Sequence, residues 1–308
     1  MARVLVFAPA PLLTVTIEEH RGEADVHVHV GGQGVWQGRM LEALGVDVTI
    51  VCTVSGETGV VVRRLLEDEG FDVVAVERDA VGPAYVHDRR GGELDAIVEA
   101  EGEPLSRHDL DALYSAALSA AARADLVILS GPEGEAMLEP EVYRRLASDV
   151  RELGATVLVD LAGPRLAAAL EGGVDVLKVS HEELEEDGRV DDGDDEAQLV
   201  RAARALADEG VSLVAITRAD AGSLVVGEEG AWRVRAPELE AVETRGAGDS
   251  YTAAVAAVLA TGGSHAEAIR LGAAAGAVNA TRRGLGTGDP DAIRAIAEQV
   301  ELEPIEED

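Results

Sequence analysis

The sequence contains few of the residues on which several common chemistries depend. Among 308 residues there is one cysteine, Cys52, and Lys178 is the only lysine. One cysteine excludes an internal disulfide and a thiolate zinc cluster. One lysine, with no GxxxxGK[ST] motif around it, excludes a Walker-type phosphate loop, and the protein kinase motifs are also absent.

Positive charge is scarce as well. The sequence has 26 Lys and Arg against 59 Asp and Glu, which gives a formal net charge of -33. Such a surface repels nucleic acid and anionic membranes. A phosphorylated ligand would have to approach against this field, so its binding site must supply local positive potential.

Long apolar runs are missing too. No stretch reaches the roughly 20 apolar residues that span a bilayer, and the first residues, MARVLVFAPAP, lack the features of a signal peptide. We therefore expect a cytoplasmic protein without membrane contact.

Short apolar, β-branched runs alternate with alanine-rich amphipathic segments along the whole chain. The runs begin at residues 3, 48, 71, 125, 156, 175 and 212. They resemble strands buried on both faces, and the alternation predicts a mostly parallel sheet covered by helices on both sides. Helix starts are predicted at Ser106, Pro140 and Asp289.

Two segments have a different pattern. Residues 14–30 and 84–98 alternate polar and apolar residues around Arg21-Gly22 and Gly91-Gly92. Both patterns predict hairpins with one wet face. The two hairpins could together form a small β lid over an active site, with bounds of about 12–32 and 84–100.

The strongest local signal is ETRGAGDSYTAAVAAVLATG, residues 243–262. Gly246, Ala247 and Gly248 precede a long alanine-rich helix with Asp249 in its first turn, so backbone amides can approach an anion closely. A carboxylate beside that site could accept the proton of an attacking hydroxyl. The alternative is that Asp249 and Ser250 merely favour a helix start.

A second glycine-rich segment, HVGGQGVWQGRMLEALG, covers residues 29–45 and follows the first hairpin. Gln37 stands where a GxGxxG dinucleotide fingerprint needs its last glycine, and the next strand ends without the required acidic residue. A Rossmann oxidoreductase is therefore disfavoured.

Taken together, the two glycine segments resemble the ribokinase-like (PfkB) carbohydrate kinases, over nearly the whole chain. The branch of 1-phosphofructokinases and tagatose-6-phosphate kinases is the most similar. Supporting stretches are GELDAIVEAEGEPLS, LKVSHEELEE, AITRADAGSLVV and GAAAGAVNATRRGLGTGDP. The resemblance implies one three-layer α/β/α domain over residues 1–308, with a mostly parallel central sheet and a small β lid that often mediates homodimerisation.

The resemblance also implies an ATP-dependent phosphotransferase that uses Mg²⁺ and acts on a sugar or sugar phosphate, and it leaves a monovalent-cation requirement open. By position, Asp249 is similar to the family's catalytic base, and Gly246, Ala247 and Gly248 to its anion hole. The remaining implied sites are nucleotide contacts at Thr217, Gly222 and Asn279, magnesium at Glu183, and the acceptor pocket at Gly31, Gly32, Gln33 and Trp36.

The sequence departs from the family mainly in the acceptor half. Gln33 and Trp36 replace a usual lysine and asparagine, Tyr85 replaces an arginine, and Ser180 replaces the asparagine of an Asn-x-x-Glu motif. An aspartate after the first strand is also missing. Arg39, Arg89 or Arg90 could compensate for the lost cations.

These departures keep two alternatives open. One is a non-catalytic nucleotide- or metabolite-binding protein on the same fold. The other is a kinase of a non-phosphorylated sugar or nucleoside, in which Trp36 could stack on a ring. A metal site at His27 and His29, which share one face of a strand, lacks an identifiable third ligand.

Overall fold

The computed structural model describes residues 2–92, 94–132 and 134–305. Its main body is a ten-stranded sheet with the order β14-β13-β12-β11-β10-β9-β8-β1-β4-β5. The strands are β1 (Arg3–Phe7), β4 (Asp47–Ser55), β5 (Asp72–Arg78), β8 (Leu126–Ser130), β9 (Thr156–Asp160), β10 (Val176–Ser180), β11 (Leu213–Thr217), β12 (Ser223–Gly227), β13 (Gly230–Arg235) and β14 (Glu301–Pro304). The pairs from β5 to β11 are parallel, and those from β11 to β14 are antiparallel.

Helices cover both faces of this sheet. They are α1 (Gln33–Ala43), α2 (Gly56–Asp68), α3 (Arg107–Ala121), α4 (Pro140–Glu152), α5 (Gly163–Gly172), α6 (His181–Glu186), α7 (Glu196–Asp208), α8 (Ala247–Ala260), α9 (His265–Ala280) and α10 (Pro290–Ala297). One core cluster packs α3, α4, α5 and α7 against the strands, and the other packs α1, α2, α8 and α9. The predicted three-layer α/β/α arrangement is confirmed.

The helix starts also follow the sequence. Ser106 accepts a hydrogen bond from the Asp109 amide, and Asp289 accepts from the amides of the next helix. Pro140 occupies the first position of α4. Within the described residues no helix is both long and apolar enough to cross a membrane.

The two predicted hairpins form a separate four-stranded sheet, which we call the lid. It consists of β2 (Leu12–His20), β3 (Glu23–Gly31), β6 (Ala84–Asp88) and β7 (Asp95–Ala100), in the order β3-β2-β6-β7. Parallel pairing of β2 with β6 joins the hairpins. Because β3 leads directly into α1, the lid is anchored to that helix.

Neither face of the lid is uniformly buried. On one face, the polar Thr16 and His87 are each only 8% exposed. On the other face, Val26, Val28 and Val98 are 58%, 46% and 47% exposed. The lid therefore exposes three valines of its apolar face, while Val30 on the same face is buried and His27 on the polar face is exposed.

Candidate functional site

A cleft of about 810 Å³ opens at the carboxyl ends of the parallel strands. Ligands in α/β sheets bind at this edge, where strand ends and helix N-termini converge. Its lining includes Gln33 and Trp36 from α1, Asp160 from β9, Lys178 from β10, Arg165 from α5, Glu183, Glu186 and Asp187 around α6, and Gly248 and Asp249 from α8. Predicted residues of the catalytic and acceptor sets thus meet in one cavity.

The start of α8 is built to present backbone amides. Gly246 precedes the helix with a φ of 76°, and a Cβ there would lie 3.2 Å from the Gly286 nitrogen. The Ala247 amide donates to Thr244 and the Ser250 amide to Gly246. Among the described residues, Gly248 and Asp249 are the first-turn positions whose amides find no carbonyl acceptor, as expected at a helix N-terminus. These two amides can receive an anion.

Lys178 supplies positive charge at this helix start. A Cβ at Gly248 would lie 2.8 Å from its Nζ, so glycine is what allows the ammonium to lie there. Burial favours the neutral amine, but the carboxylates of Asp160, Glu183 and Asp249 together hold the pKa of Lys178 above its usual value. Lys178, the only lysine of the chain, therefore supplies part of the local positive potential that a phosphate site needs in so acidic a protein.

Asp249 and Asp160 lie beside this ammonium in a buried polar network. Lys178 Nζ donates to Asp160 Oδ1 at 3.1 Å, and Thr252 Oγ1 donates to Asp160 Oδ2 at 2.8 Å. Gln37 Nε2 lies 3.1 Å from Asp160 Oδ2 and 3.4 Å from Asp249 Oδ1. Burial, followed by the charge of Asp160, raises the pKa of Asp249 to about 8, while Lys178 opposes this shift. A carboxyl that titrates near neutral pH suits a general base.

Two of the four predicted acceptor residues, Gln33 and Trp36, line the cleft, whereas Gly31 and Gly32 are not part of its lining. Gln33 Oε1 accepts a hydrogen bond from the Gly131 amide at 2.9 Å, and Trp36 lines the cleft beside it. Gly31 and Gly32 precede α1, and Gly32 has a φ of 109°. A Cβ at Gly31 would lie 3.1 Å from Thr14 Oγ1, so this glycine permits close contact with the lid strand β2.

Glu183 lines the cleft, but part of its carboxylate has a structural task. Its Oε2 accepts from the Ser180 amide at 2.7 Å, while the Ser180 hydroxyl accepts from the Glu183 amide. Ser180 thus begins α6 through a capping box. In the part of the chain that the structure describes, no group of three or more His, Cys, Asp or Glu side chains could hold a metal ion. His27, which was considered with His29 as a metal site, has its Nε2 atom 3.4 Å from a carboxylate oxygen of Asp25.

The three predicted nucleotide residues are not part of this cleft lining. Thr217 ends β11 next to His181, which lies 3.2 Å from its carbonyl. Gly222 has a φ of 80°, and a Cβ there would collide with the Val234 carbonyl. Asn279 is buried, where it donates to the Arg245 carbonyl and accepts from the Thr287 amide. Its side chain therefore joins two loops next to the start of α8.

Two of the three cations suggested as replacements for the missing lysine and arginine, Arg39 and Arg90, have other partners. Arg39 bonds the Glu69 carboxylate and the Val30 carbonyl at 2.6 Å, and Arg90 bonds Asp88. Arg165, which the sequence did not single out, lines the cleft. A Cβ added to Gly131 would lie 3.4 Å from Arg165 Nη1. Lys178 and Arg165 are the cations of the cleft lining.

The sequence also failed to single out Gln37, Asp160 and Lys178 as members of the site. A signal was present for the last two. Asp160 ends the buried run TVLVD, and Lys178 interrupts the buried run DVLKVS. A charged residue within a strand buried on both faces, or at its carboxyl end, needs a partner or a ligand. Neighbouring parallel strands bring two such residues together, as β9 and β10 do here.

Comparisons with known proteins agree with this architecture. Residues 13–292 match the family model described as pfkB family carbohydrate kinase. The 1-phosphofructokinase of Bacillus subtilis is 27% identical over 258 residues, which are 83% of each chain. The ATP-dependent 6-phosphofructokinase isozyme 2 of Mycobacterium tuberculosis is 30% identical over 252 residues, 80% of this chain and 73% of that protein.

Solved structures show the same fold. Phosphofructokinase-2 from Escherichia coli in complex with potassium superposes with a TM-score of 0.85 at 26% identity, covering 97% of this chain and 99% of that one. Arabidopsis thaliana ribokinase, complexed with ribose and ATP, gives 0.73 at 21% identity over the same shares, which is a likeness of fold alone. The predicted ribokinase-like class is confirmed, and the chain belongs to the pfkB family of carbohydrate kinases.

Proposed function

We propose that the protein transfers the γ-phosphoryl group of ATP to a hydroxyl of a sugar phosphate, with Asp249 as the base. One observation carries this proposal: Asp249 opens into the cleft beside two amides available to an anion and a buried ammonium. Phosphoryl transfer depends mainly on such positioning and electrostatics. The family and the kinases among its relatives support the same reaction class.

In this reaction Asp249 accepts the proton of the acceptor hydroxyl as its oxygen attacks the γ-phosphorus. The bond between that phosphorus and the β,γ-bridging oxygen breaks, and ADP leaves with the electron pair. The amides of Gly248 and Asp249 receive the outer phosphoryl oxygens. Gly246 and Ala247 complete this anion hole by shaping the turn, and Lys178 offsets the growing negative charge.

The carboxylates of Glu183, Glu186 and Asp187 give the cleft a wall of hard oxygen ligands. Mg²⁺ commonly uses one or two carboxylates together with substrate phosphates and water, so this wall fits the ion without a closed cage of three protein ligands. We assign Glu183 as its principal protein contact. Bound there, the ion would neutralise phosphate charge.

Thr217, Gly222 and Asn279 belong to the nucleotide side in this proposal. Gly222 shapes the turn after β11, and Asn279 holds the loop before α8 against the loop at Thr287. Asn279 would thus act on ATP by ordering these loops rather than by direct contact, because its amide already has protein partners.

The acceptor would occupy the part of the cleft that Gln33, Trp36 and Arg165 line. Arg165 Nη2 donates to the Gly134 carbonyl at 2.6 Å, which fixes the guanidinium there. Guanidinium groups bind phosphate through charge-assisted hydrogen bonds. We therefore assign the phosphate of the acceptor to Arg165, in place of the lysine and arginine that the sequence lacks.

The outward apolar face of the lid fits a second copy of the chain. Exposed valines on a sheet are unfavourable in water, and a homodimer through Val26, Val28 and Val98 would bury them. The net charge of -33 disfavours contacts between charged surfaces of two copies, so we expect dimerisation through the exposed valines of the lid.

The test is substrate-dependent ADP release by the wild type and by Asp249→Asn. The panel contains fructose 1-phosphate, fructose 6-phosphate, tagatose 6-phosphate, the free sugars and a nucleoside, each with Mg²⁺ and with K⁺ or Na⁺. We expect turnover of a sugar phosphate and a loss of at least 100-fold in the variant, the size of a general-base contribution. Equal turnover in both proteins would reject Asp249 as the base.

The same panel separates the alternatives. Turnover of only free sugars or the nucleoside would favour stacking on Trp36, and ATP binding without turnover of any acceptor would favour a non-catalytic protein.

A further inference from the structure

Gln37 places a fully buried amide at the centre of the site. Its exposure is 0%, and its side chain reaches from α1 to the ends of β8 and β9 and to the start of α8. Burying an amide is unfavourable unless its hydrogen bonds are made. Here Nε2 faces the carboxylates of Asp160 and Asp249, and Oε1 accepts from the Ser130 hydroxyl.

The chemistry of its partners leaves this amide one orientation. The anionic forms of Asp160 and Asp249 only accept hydrogen bonds, so the NH₂ group must point toward them when Asp249 acts as a base. A flipped amide would direct Oε1 at the two carboxylates and leave the Ser130 hydroxyl opposite a donor. Ser130 is itself held in place, because Tyr143 donates to its carbonyl at 3.0 Å.

The two carboxylates differ in how many donors they receive. Asp160 accepts from Lys178, Thr252 and Gln37. Among side chains in the described residues, only Gln37 donates to Asp249. Asp160 therefore keeps two donors when Gln37 is removed, whereas Asp249 loses the side-chain donor that Gln37 supplies.

We propose that Gln37, oriented by Ser130, is a positioning residue that holds the Asp249 carboxylate toward the cleft and stabilises its anionic form. This inference rests on the proposed function, since it concerns the base of that reaction. The proposal explains why Gln37, in the glycine-rich segment of residues 29–45, is a fully buried polar side chain. The cost of burying the amide is offset by its three partners.

The charged groups whose fields act on the Asp249 carboxyl are Asp160 from β9, Lys178 from β10 and Glu183 from α6. All three remain in Gln37→Leu, which removes the donor and keeps a buried side chain of similar size. Without the hydrogen bond that Gln37 donates, Asp249 should hold its proton to higher pH. The rising limb of kcat against pH should then move upward by about one unit, which is about a tenfold loss below the limb.

Ser130→Ala tests the orientation separately, because it keeps the amide but frees it to rotate. We expect a smaller shift in the same direction. Gln198→Leu, on the remote helix α7, is the matched control and should keep the wild-type limb. If Gln37→Leu lowers kcat by the same factor at every pH, and the rising limb stays at the wild-type pH, the proposal is overturned, because simple damage to packing predicts that result.

A direct titration separates this inference from the kinase assignment. In ¹³C NMR of aspartate carboxyls, with Asp249→Asn used to assign the resonance, the Asp249 midpoint should rise in Gln37→Leu relative to the wild type. Equal midpoints would refute the role of Gln37 even if the enzyme turns over. A raised midpoint would support it even if no acceptor in the panel is phosphorylated.

Discussion

Gly248 lies so close to Lys178 that a Cβ on the glycine would be 2.8 Å from the lysine Nζ. The ammonium is buried and bonded to Asp160, so it cannot move aside without losing its partner. The first turn of α8 and the end of β10 are therefore fitted to each other at the proposed phosphoryl site.

Gly248→Ala should displace the ammonium from the anion hole and lower kcat roughly 10- to 100-fold, the range for losing one such stabilising group. Alanine favours helices over glycine, so helix propensity does not predict unfolding. Steady-state kinetics and thermal unfolding would measure both effects. Gly91→Ala is the control, because a Cβ there meets nothing within 4 Å. Wild-type kcat in Gly248→Ala would contradict the proposed fit.

The pH dependence of kcat/KM follows from the environment of Asp249. Burial raises the pKa of this carboxyl to about 8, so it is mostly protonated at pH 7 and cannot accept a proton. We expect kcat/KM to rise with pH, about tenfold per unit below the pKa, and to level off above about 8. Coupled assays from pH 6 to 9.5 would measure this limb. A profile already level at pH 6 would mean that Asp249 keeps an ordinary carboxyl pKa.

Lys178→Met should destabilise the fold as well as the reaction. It leaves Asp160 buried without its cation, a change that typically costs about 3–5 kcal/mol. Lys178→Met/Asp160→Asn should recover much of this loss, because the second change removes the unpaired charge. Urea unfolding would compare the variants with Arg151→Met, which breaks a half-exposed ion pair with Asp175 and should cost under about 1 kcal/mol. A double variant no more stable than Lys178→Met would contradict the argument.

Arg165→Met should weaken binding of a phosphorylated acceptor selectively. A charge-assisted hydrogen bond to phosphate is worth about 1.5–3 kcal/mol, which predicts a roughly 10- to 100-fold rise in KM with little change in kcat. KM for the matching free sugar should stay unchanged, which would show that the part of the cleft around Gly134 is still correctly folded. Arg201→Met, on an exposed part of α7, is the control. Equal effects on both acceptors would remove Arg165 from the phosphate site.

Val28→Asp should dissociate the proposed lid dimer, because it places a charge in the apolar contact. Light scattering with size-exclusion chromatography, over a range of concentrations, would report the mass. Val60→Asp changes a valine that is 71% exposed on α2 and should leave the mass unchanged. A wild type that is monomeric at every concentration would refute dimerisation through the lid.

Much of the fold was predictable because its signals are local. Apolar runs marked the buried strands, turn residues marked the two hairpins, and Ser106 and Asp289 marked helix starts that the structure confirms. The position of Asp249 in the first turn of α8 was equally local. Such features depend on neighbours within a few residues, which a sequence displays directly.

The polar network was not predictable in the same way. Gln37 lies 123 positions from Asp160 and 212 from Asp249, and only the tertiary fold brings these side chains together. Asn279 shows the same difficulty, since its position matched a nucleotide residue but its amide joins two loops. Periodicity identifies which face of an element is buried, but it does not show which distant polar groups meet there.

The scarcity of cations in the cleft has a kinetic consequence. In the proposed reaction, ATP and a sugar phosphate, both negatively charged, would diffuse toward a protein of formal charge -33 before Lys178 and Arg165 could attract them at short range. Repulsion acts over about a Debye length, roughly 10 Å at 0.1 M salt and 30 Å at 0.01 M. Added electrolyte should therefore speed the capture of substrate, the reverse of the behaviour of enzymes whose electrostatic fields steer their ligands inward.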